Sequence, residues 1–366
     1  MEYLSRRLSL LKDDSMFKFH PNCSRLKITH LIFADDLLLF GKADFSVIFG
    51  IQSFWVSNYI LPIKVLERID KLCSSFLWGQ KIHLISWNTV CLGRMQGGLG
   101  LFSAKEWNNA AAIKLLWLIH QKKDLLWVKW VHGHYLQHSN IWQVQHRSND
   151  SWMWKQLLKV RNMLLAKFGN TEVLMSSMDS CCVNGKISMS AIYNALYQSN
   201  TSAVWAETTW GRLNYPKHSF ILWLVNHSRL LTQERLCRLR LLDANLCVLC
   251  SSQPENCKHL FFECHYSAAV WNMLMDWLRF TWRTCNWCLL IHWYSHNLRG
   301  KNFKKNMKRM ALAAAVYSIW QERNYRIFQA KARGPADLFR AIKYSIYSKL
   351  LNEDIPVHMK DELVKL

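Results

Sequence analysis

No run of apolar residues in this sequence is long enough to cross a bilayer; the longest, Met310 to Tyr317, falls far short of the roughly 20 residues required. The opening MEYLSRRLSLLKDD has no apolar core before a small-residue cleavage site, so the expected setting is intracellular, not secreted, with no membrane partner. No segment repeats and no tract is of low complexity. Acidic residues are scarce, 25 Asp plus Glu against 47 Lys plus Arg, and the formal charge of +22 attracts polyanions, nucleic acid first among them. The glycine-rich stretch GRMQGGLG, Gly93 to Gly100, lacks the Gly-Lys-Ser/Thr ending that would place an ammonium and a metal-binding hydroxyl, and is expected to be a plain turn.

What is present is a chain of 366 residues, 51% hydrophobic, enough for two or three domains with a real core. Nineteen tryptophans supply ring faces that can stack on unpaired bases, although most such rings belong in the core because they bury so much area. In an intracellular setting the 12 cysteines stay reduced, and clustered ones point to metal.

Periodicity divides the chain. Leu26, Ile28 and His30 alternate with Lys27 and Thr29 ahead of the apolar run Leu37 to Phe40, predicting a hairpin around a carboxylate turn. From Leu61 the period becomes helical, with Pro62 at a first-turn position and Val65, Leu66, Ile69, Leu72, Cys73 and Phe76 at three- and four-residue steps. A second helix is expected from Ser103, capped by its hydroxyl with Glu106 reaching back, and striped by Trp107, Ala111, Leu115 and Leu118. Asn184-Gly185 predicts a tight hairpin, since both positions tolerate positive φ. Helices are expected at about 190–199, 216–229 and 232–242, then from about 301 to 332, and, after Gly334-Pro335, from about 336 to 351.

The stretch CVLCSSQPENCKHLFFEC, Cys247 to Cys264, spells C-x2-C-x8-H-x4-C. Two residues between the first cysteines let both thiolates reach one ion from a tight turn, and His259 and Cys264 close a tetrahedron with Cys247 and Cys250. Four N/S ligands without an open position suit a structural Zn²⁺. Cys257 and His265 compete for ligation; His259 is preferred because it and Cys264 should lie about one helical turn apart, on one face. A second set, Cys285, Cys288, His292 and His296, is open as a metal site, but the three-residue gap after the cysteine pair leaves little chain to fold back.

Two basic patches are candidates for phosphate contact: Lys301, Lys304, Lys305 and Lys308 on one helix face, and Arg235, Arg238 and Arg240 just before the cysteine cluster.

At Phe33 to Asp36 the chain reads FADD between apolar runs. Adjacent carboxylates repel unless a divalent cation neutralises them, the arrangement a two-metal nucleotidyl transfer site needs. In its context, FKFHPNCSRLKITHLIFADDLLLFGKAD, this resembles the palm hairpin of LINE-type (non-LTR retrotransposon) reverse transcriptases of plants. LPIKVLERIDKLCSSFLWG, ISWNTVCLGRMQGGLGL, the CVLC and HLFFEC elements and VYSIWQERNYRIF resemble the same family, over nearly the whole chain. The resemblance implies a mainly α fold with small β-hairpins: a palm-hairpin remnant at 1–45, a helical thumb-like region at 46–150, a helical CCHC zinc-binding domain at 151–280 and a basic helical C-terminal region at 281–366.

The resemblance also implies an active-site carboxylate upstream of FADD, yet only Glu2, Asp13 and Asp14 precede Asp35, and ADFSVIFGIQSFWV follows FADD where a longer connection is expected. Asp35 and Asp36 are therefore expected to be vestigial, because catalysis by positioned metals does not survive loss of a ligand and its supporting shell. The expected function is a non-catalytic, zinc-binding module for RNA or DNA with weak sequence specificity. Its alternatives are a decayed fragment without activity, or an RNA-directed DNA polymerase using Mg²⁺ with a partner that supplies the missing palm.

Overall fold

The computed structural model describes residue 13, the backbone of 30–33 and 36–39, and residues 56–351 apart from 58, 80–81, 138, 198–200, 282–285 and 301. Among the described residues the fold is mainly helical with two small antiparallel hairpins. The first joins β1 (His30–Phe33) to β2 (Asp36–Leu39), with Phe33 opposite Asp36 as the innermost pair. Asp35 lies outside the described residues. The second joins β3 (Cys182–Val183) to β4 (Lys186–Ile187) across Asn184 and Gly185, whose φ values of 51° and 70° are those of a two-residue turn with both centres left-handed.

The chain packs as two compact units, Met1–His83 with Phe102–Gln198, and Leu84–Leu101 with Ser199–Leu366. In the first, α1 (Ile63–Trp78) and α2, the short helix Trp87–Val90 of the other unit, are followed by α3 (Ala104–His120), which carries the core. Ile113, Leu116 and Ile119 pack with Leu158 and Leu164 of α5 (Trp152–Phe168) and Leu174 of α6 (Thr171–Ser180). Ile192 and Tyr193 of α7 (Met189–Tyr197) complete the cluster. Between α3 and α5 lies the short α4 (Leu126–Val131).

Two local expectations are corrected here. The start of α3 is not closed by a capping box: the Ser103 hydroxyl donates to Asp70 Oδ2 (3.0 Å), Asp70 Oδ1 accepts the Ala104 amide (2.8 Å), and Glu106 accepts from Tyr193. A carboxylate from α1 thus takes the place of the local cap and suits the positive end of the α3 dipole. On α1 itself the apolar stripe is split, with Leu66 and Cys73 buried but Val65, Leu72 and Phe76 exposed.

The second unit is built on α13 (Phe303–Gln329), whose residues from Met310 to Val316 are all buried. It packs against α9 (Pro216–Asn226) and α14 (Pro335–Leu351). The remaining helices are α8 (Ala206–Thr209), α10 (Gln233–Arg238), α11 (His265–Trp277) and α12 (Trp287–Asn297). The longest apolar run is thus the middle of a core helix; among the described residues no helix is long and apolar enough to cross a membrane.

The glycine-rich stretch folds as a tight turn in this unit. Gly97 has φ 95°, and a Cβ on Gly98 would fall 1.9 Å from the Leu92 carbonyl oxygen. The Gly97 carbonyl accepts hydrogen bonds from Trp223 Nε1 (2.8 Å) and His227 Nε2 (2.9 Å), which fixes the turn to α9.

Candidate metal centre

Cys247, Cys250, His259 and Cys264 come together so that their ligand atoms lie within 4.8 Å of one another. Cys247 opens a turn in which the Ser251 amide donates to its carbonyl (2.7 Å) and its own amide donates to the Gln253 carbonyl (2.8 Å). That turn carries Cys250 back beside His259, Sγ to Nε2 at 3.3 Å. Asn256 starts the next element by accepting the His259 amide on Oδ1 (2.8 Å).

His259 and Cys264 are joined by a π turn, His259–Glu263, not by an α-helical one. The separation is five residues, which on an α-helix would set the two side chains about 140° apart. Widening the turn to an i→i+5 bond, Cys264 amide to His259 carbonyl at 2.8 Å, restores a shared face. The one-turn expectation is corrected accordingly. Carbonyls displaced by the wide turn find partners on α11: Ser267 Oγ donates to Leu260 (2.6 Å) and Trp271 Nε1 to Phe261 (2.7 Å).

Cys247 and Cys264 are fully buried, His259 nearly so. The Cys264 sulfur accepts a hydrogen bond from the Cys247 thiol and further ones from the Ser267 and Tyr266 amides at the start of α11, which outweigh burial and draw its pKa down. The same thiol contact, with burial, drives Cys247 up. Three thiols and an imidazole gathered this closely suit a soft cation. Zinc bonds of about 2.0–2.3 Å make a tetrahedron with edges of about 3.3–3.8 Å, so the four donors need close in by no more than about an ångström.

Neither competitor joins the group. His265 is exposed at the start of α11, and Cys257 faces a separate cleft where burial and the carboxylates of Glu234 and Glu255 push its thiol up to about 11. Of the second Cys/His set, Cys285 lies outside the described residues. Cys288, His292 and His296 stand four apart along α12, so neighbours share a face, but the step from Cys288 to His296 spans about 12 Å of helix, too far for all three to meet at one point. Among the described residues they form no metal-binding group.

The centre is braced by residues that spacing alone does not reveal. Glu255, wholly buried, receives the guanidinium of Arg323 on α13, Nη2 to Oε1 at 2.8 Å, and also accepts the Gln233 amide (2.8 Å). One turn further on, Arg326 donates to the carbonyls of Val248 (3.3 Å) and Leu249 (3.1 Å), the two residues between the first cysteines. Glu322 holds Arg326 (3.0 Å) and Arg333 (2.9 Å). Glu322, Arg323 and Arg326 are the charged positions of WQERNYR; their signal in sequence is charge directly after the apolar run Met310 to Tyr317.

Of the basic candidates, Arg235 and Arg238 lie on α10 and Arg240 just beyond it. Arg238 pairs with Glu234, and Arg235 donates to the Ser228 carbonyl (3.2 Å). Lys301 lies outside the described residues. Lys304 is exposed, whereas Lys305 donates to the Arg299 carbonyl (3.2 Å) and Lys308 sits 4.0 Å above the Phe280 ring, where burial lowers its pKa.

Residues 187–271, which contain all four ligand candidates, match the family described as zinc-binding in reverse transcriptase. A stretch of 77 residues is 40% identical to a putative ribonuclease H protein of Arabidopsis thaliana, covering 20% of this chain and 12% of that relative's length. Together the two likenesses support a retrotransposon-derived protein. The bracing helix α13 lies wholly outside the matched zinc-binding segment.

Proposed function

We propose that this chain is a zinc-braced, nucleic-acid-binding region descended from a LINE-type reverse transcriptase, without polymerase activity of its own. The observation that carries the reading is the Cys₃His cluster next to an arginine-bearing wall, in a chain of charge +22. Cys247, Cys250, His259 and Cys264 are the zinc ligands on this reading; zinc, when bound, supplies four short bonds that fix the turn and no open position for chemistry. The arginines of α10 are then held at a set distance from that turn and contact phosphates without reading bases. The stretches 1–45, 46–150, 151–280 and 281–366 stand as segments of ancestry, distinct from packing units.

Binding to single-stranded RNA or DNA is expected to weaken linearly in log-log terms with salt. Replacing Arg235, Arg238 and Arg240 by Gln should flatten that slope by roughly 0.7 for each phosphate no longer neutralised. Replacing Lys304, Lys305 and Lys308 should do less, because none of them lines the cavity beside the metal centre and Lys308 is packed over the Phe280 ring. A larger effect from the lysines would move the interface to α13. Affinity independent of salt would refute phosphate-driven binding, and no measurable binding would refute nucleic-acid binding altogether.

The 366-residue chain is expected to extend no primer in the presence of Mg²⁺ and deoxynucleotides. Template-dependent extension that disappears in Asp36→Asn would overturn the non-catalytic part of the proposal.

A further inference from the structure

Two cavities adjoin beside the metal centre, about 520 Å³ and 350 Å³, sharing Ser228, Cys257 and Lys258 as a common wall. Both fall in the size range of small-ligand sites. Their linings differ in kind. The larger is walled by Arg229, Arg235, Arg238 and Lys258, with Glu234 as its one carboxylate, already paired to Arg238. Lys258 pairs with Glu263 (2.6 Å) outside that lining. Arg235 is crowded: burial, then Arg229 and Arg238, all act against its charge, a condition an incoming anion relieves. The smaller cavity is walled by Val225, Phe262 and the half-buried Trp287, whose ring centroid is 5.4 Å from that of Phe262. Phe262 belongs to the π turn between His259 and Cys264, so the metal centre itself holds this wall in place.

We propose that this trough seats one unpaired nucleotide of a single-stranded nucleic acid, its phosphate among Arg229, Arg235, Arg238 and Lys258 and its base against Trp287. A cationic end beside an aromatic end is the pairing that single-strand binding uses, one for the backbone and one for the base face. In a duplex the base faces are covered by their neighbours, so the aromatic end is of use only to an unpaired strand. The inference rests on the nucleic-acid reading above and narrows it to a place and a strand state.

The test is fluorescence anisotropy with the full zinc-loaded chain and labelled 12-nucleotide probes, as RNA and as DNA, in three forms: intact single strand, fully abasic strand and duplex. The wild type is expected to prefer the intact single strand. Trp287→Ala should weaken that binding at least about fivefold and leave the abasic and duplex values unchanged, while Trp287→Phe retains most of the affinity. Arg235→Gln should weaken all three. Zinc content and melting temperature equal to the wild type establish that each variant is folded. Wild-type binding that is salt-dependent but equal for intact and abasic strands would overturn the seat and leave the nucleic-acid reading standing. No salt-dependent binding to any probe would remove both.

Discussion

Cys264→Ser is expected to release zinc and unfold at least the region around residues 230–275. Cys264 stands at the joint between the π turn and α11, fully buried, with the Tyr266 and Ser267 amides directed at its sulfur. Structural zinc contributes on the order of 10 kcal/mol in small zinc-binding folds at neutral pH, as much as the whole net stability of a typical domain. A unit that loses it has little to hold its turn together. Metal analysis should give one zinc per wild-type chain and none in the variant, and circular dichroism should show loss of helix. His265→Ala, altering an exposed side chain, should change neither. Equal zinc in Cys264→Ser, or loss in His265→Ala, would show that the ligand set is wrong.

The second large effect is expected from the ion pairs behind the centre. Arg323→Ala leaves Glu255 buried with no guanidinium, and breaking a buried pair from one side costs about 3–5 kcal/mol. Arg323→Lys should recover little of this, because an ammonium cannot meet both carboxylate oxygens as the guanidinium fork does. Replacing both partners, Glu255→Gln with Arg323→Met, should cost less than the two single changes combined. Thermal unfolding measures all five variants, the two singles of the cycle included; additive losses would mean that the pair does not act as a unit. Glu322 adds a pH signature. Burial alone would raise its pKa, but hydrogen bonds from the Arg333 amide and guanidinium and from Arg326 outweigh it, and the net shift is below the ordinary 4.5. Its contribution is therefore complete above that value and is lost as the pH falls below it, so Glu322→Gln should flatten the acid limb of the stability curve.

Some of this was legible in one dimension because the causes are local. Asn184-Gly185 specifies its own turn, and the spacing C-x2-C-x8-H-x4-C names the four side chains that the structure gathers. The long helix is marked by its period. What was not legible depends on distant partners or on backbone geometry that composition does not encode. Ser103 looked like a self-sufficient cap, yet Asp70, 33 residues earlier, takes the amide. The five-residue step from His259 to Cys264 is compatible with more than one turn until the partners of the Leu260 and Phe261 carbonyls are known. Glu255 and Arg323 are 68 residues apart, and neither shows in sequence that it is buried.

The position of α13 bears on where such a segment can be cut. All four candidate ligands fall between residues 187 and 271, which invites the view that the zinc-binding part is a self-contained cassette. A chain ending at 271 would still carry every ligand, but Glu255 would keep its buried seat without a cation, and the Val248 and Leu249 carbonyls would lose the donor that Arg326 provides. The ligand set and the counter-charges packed behind it are thus parted in the chain, and a cut between residue 271 and Phe303 would keep the first and lose the second.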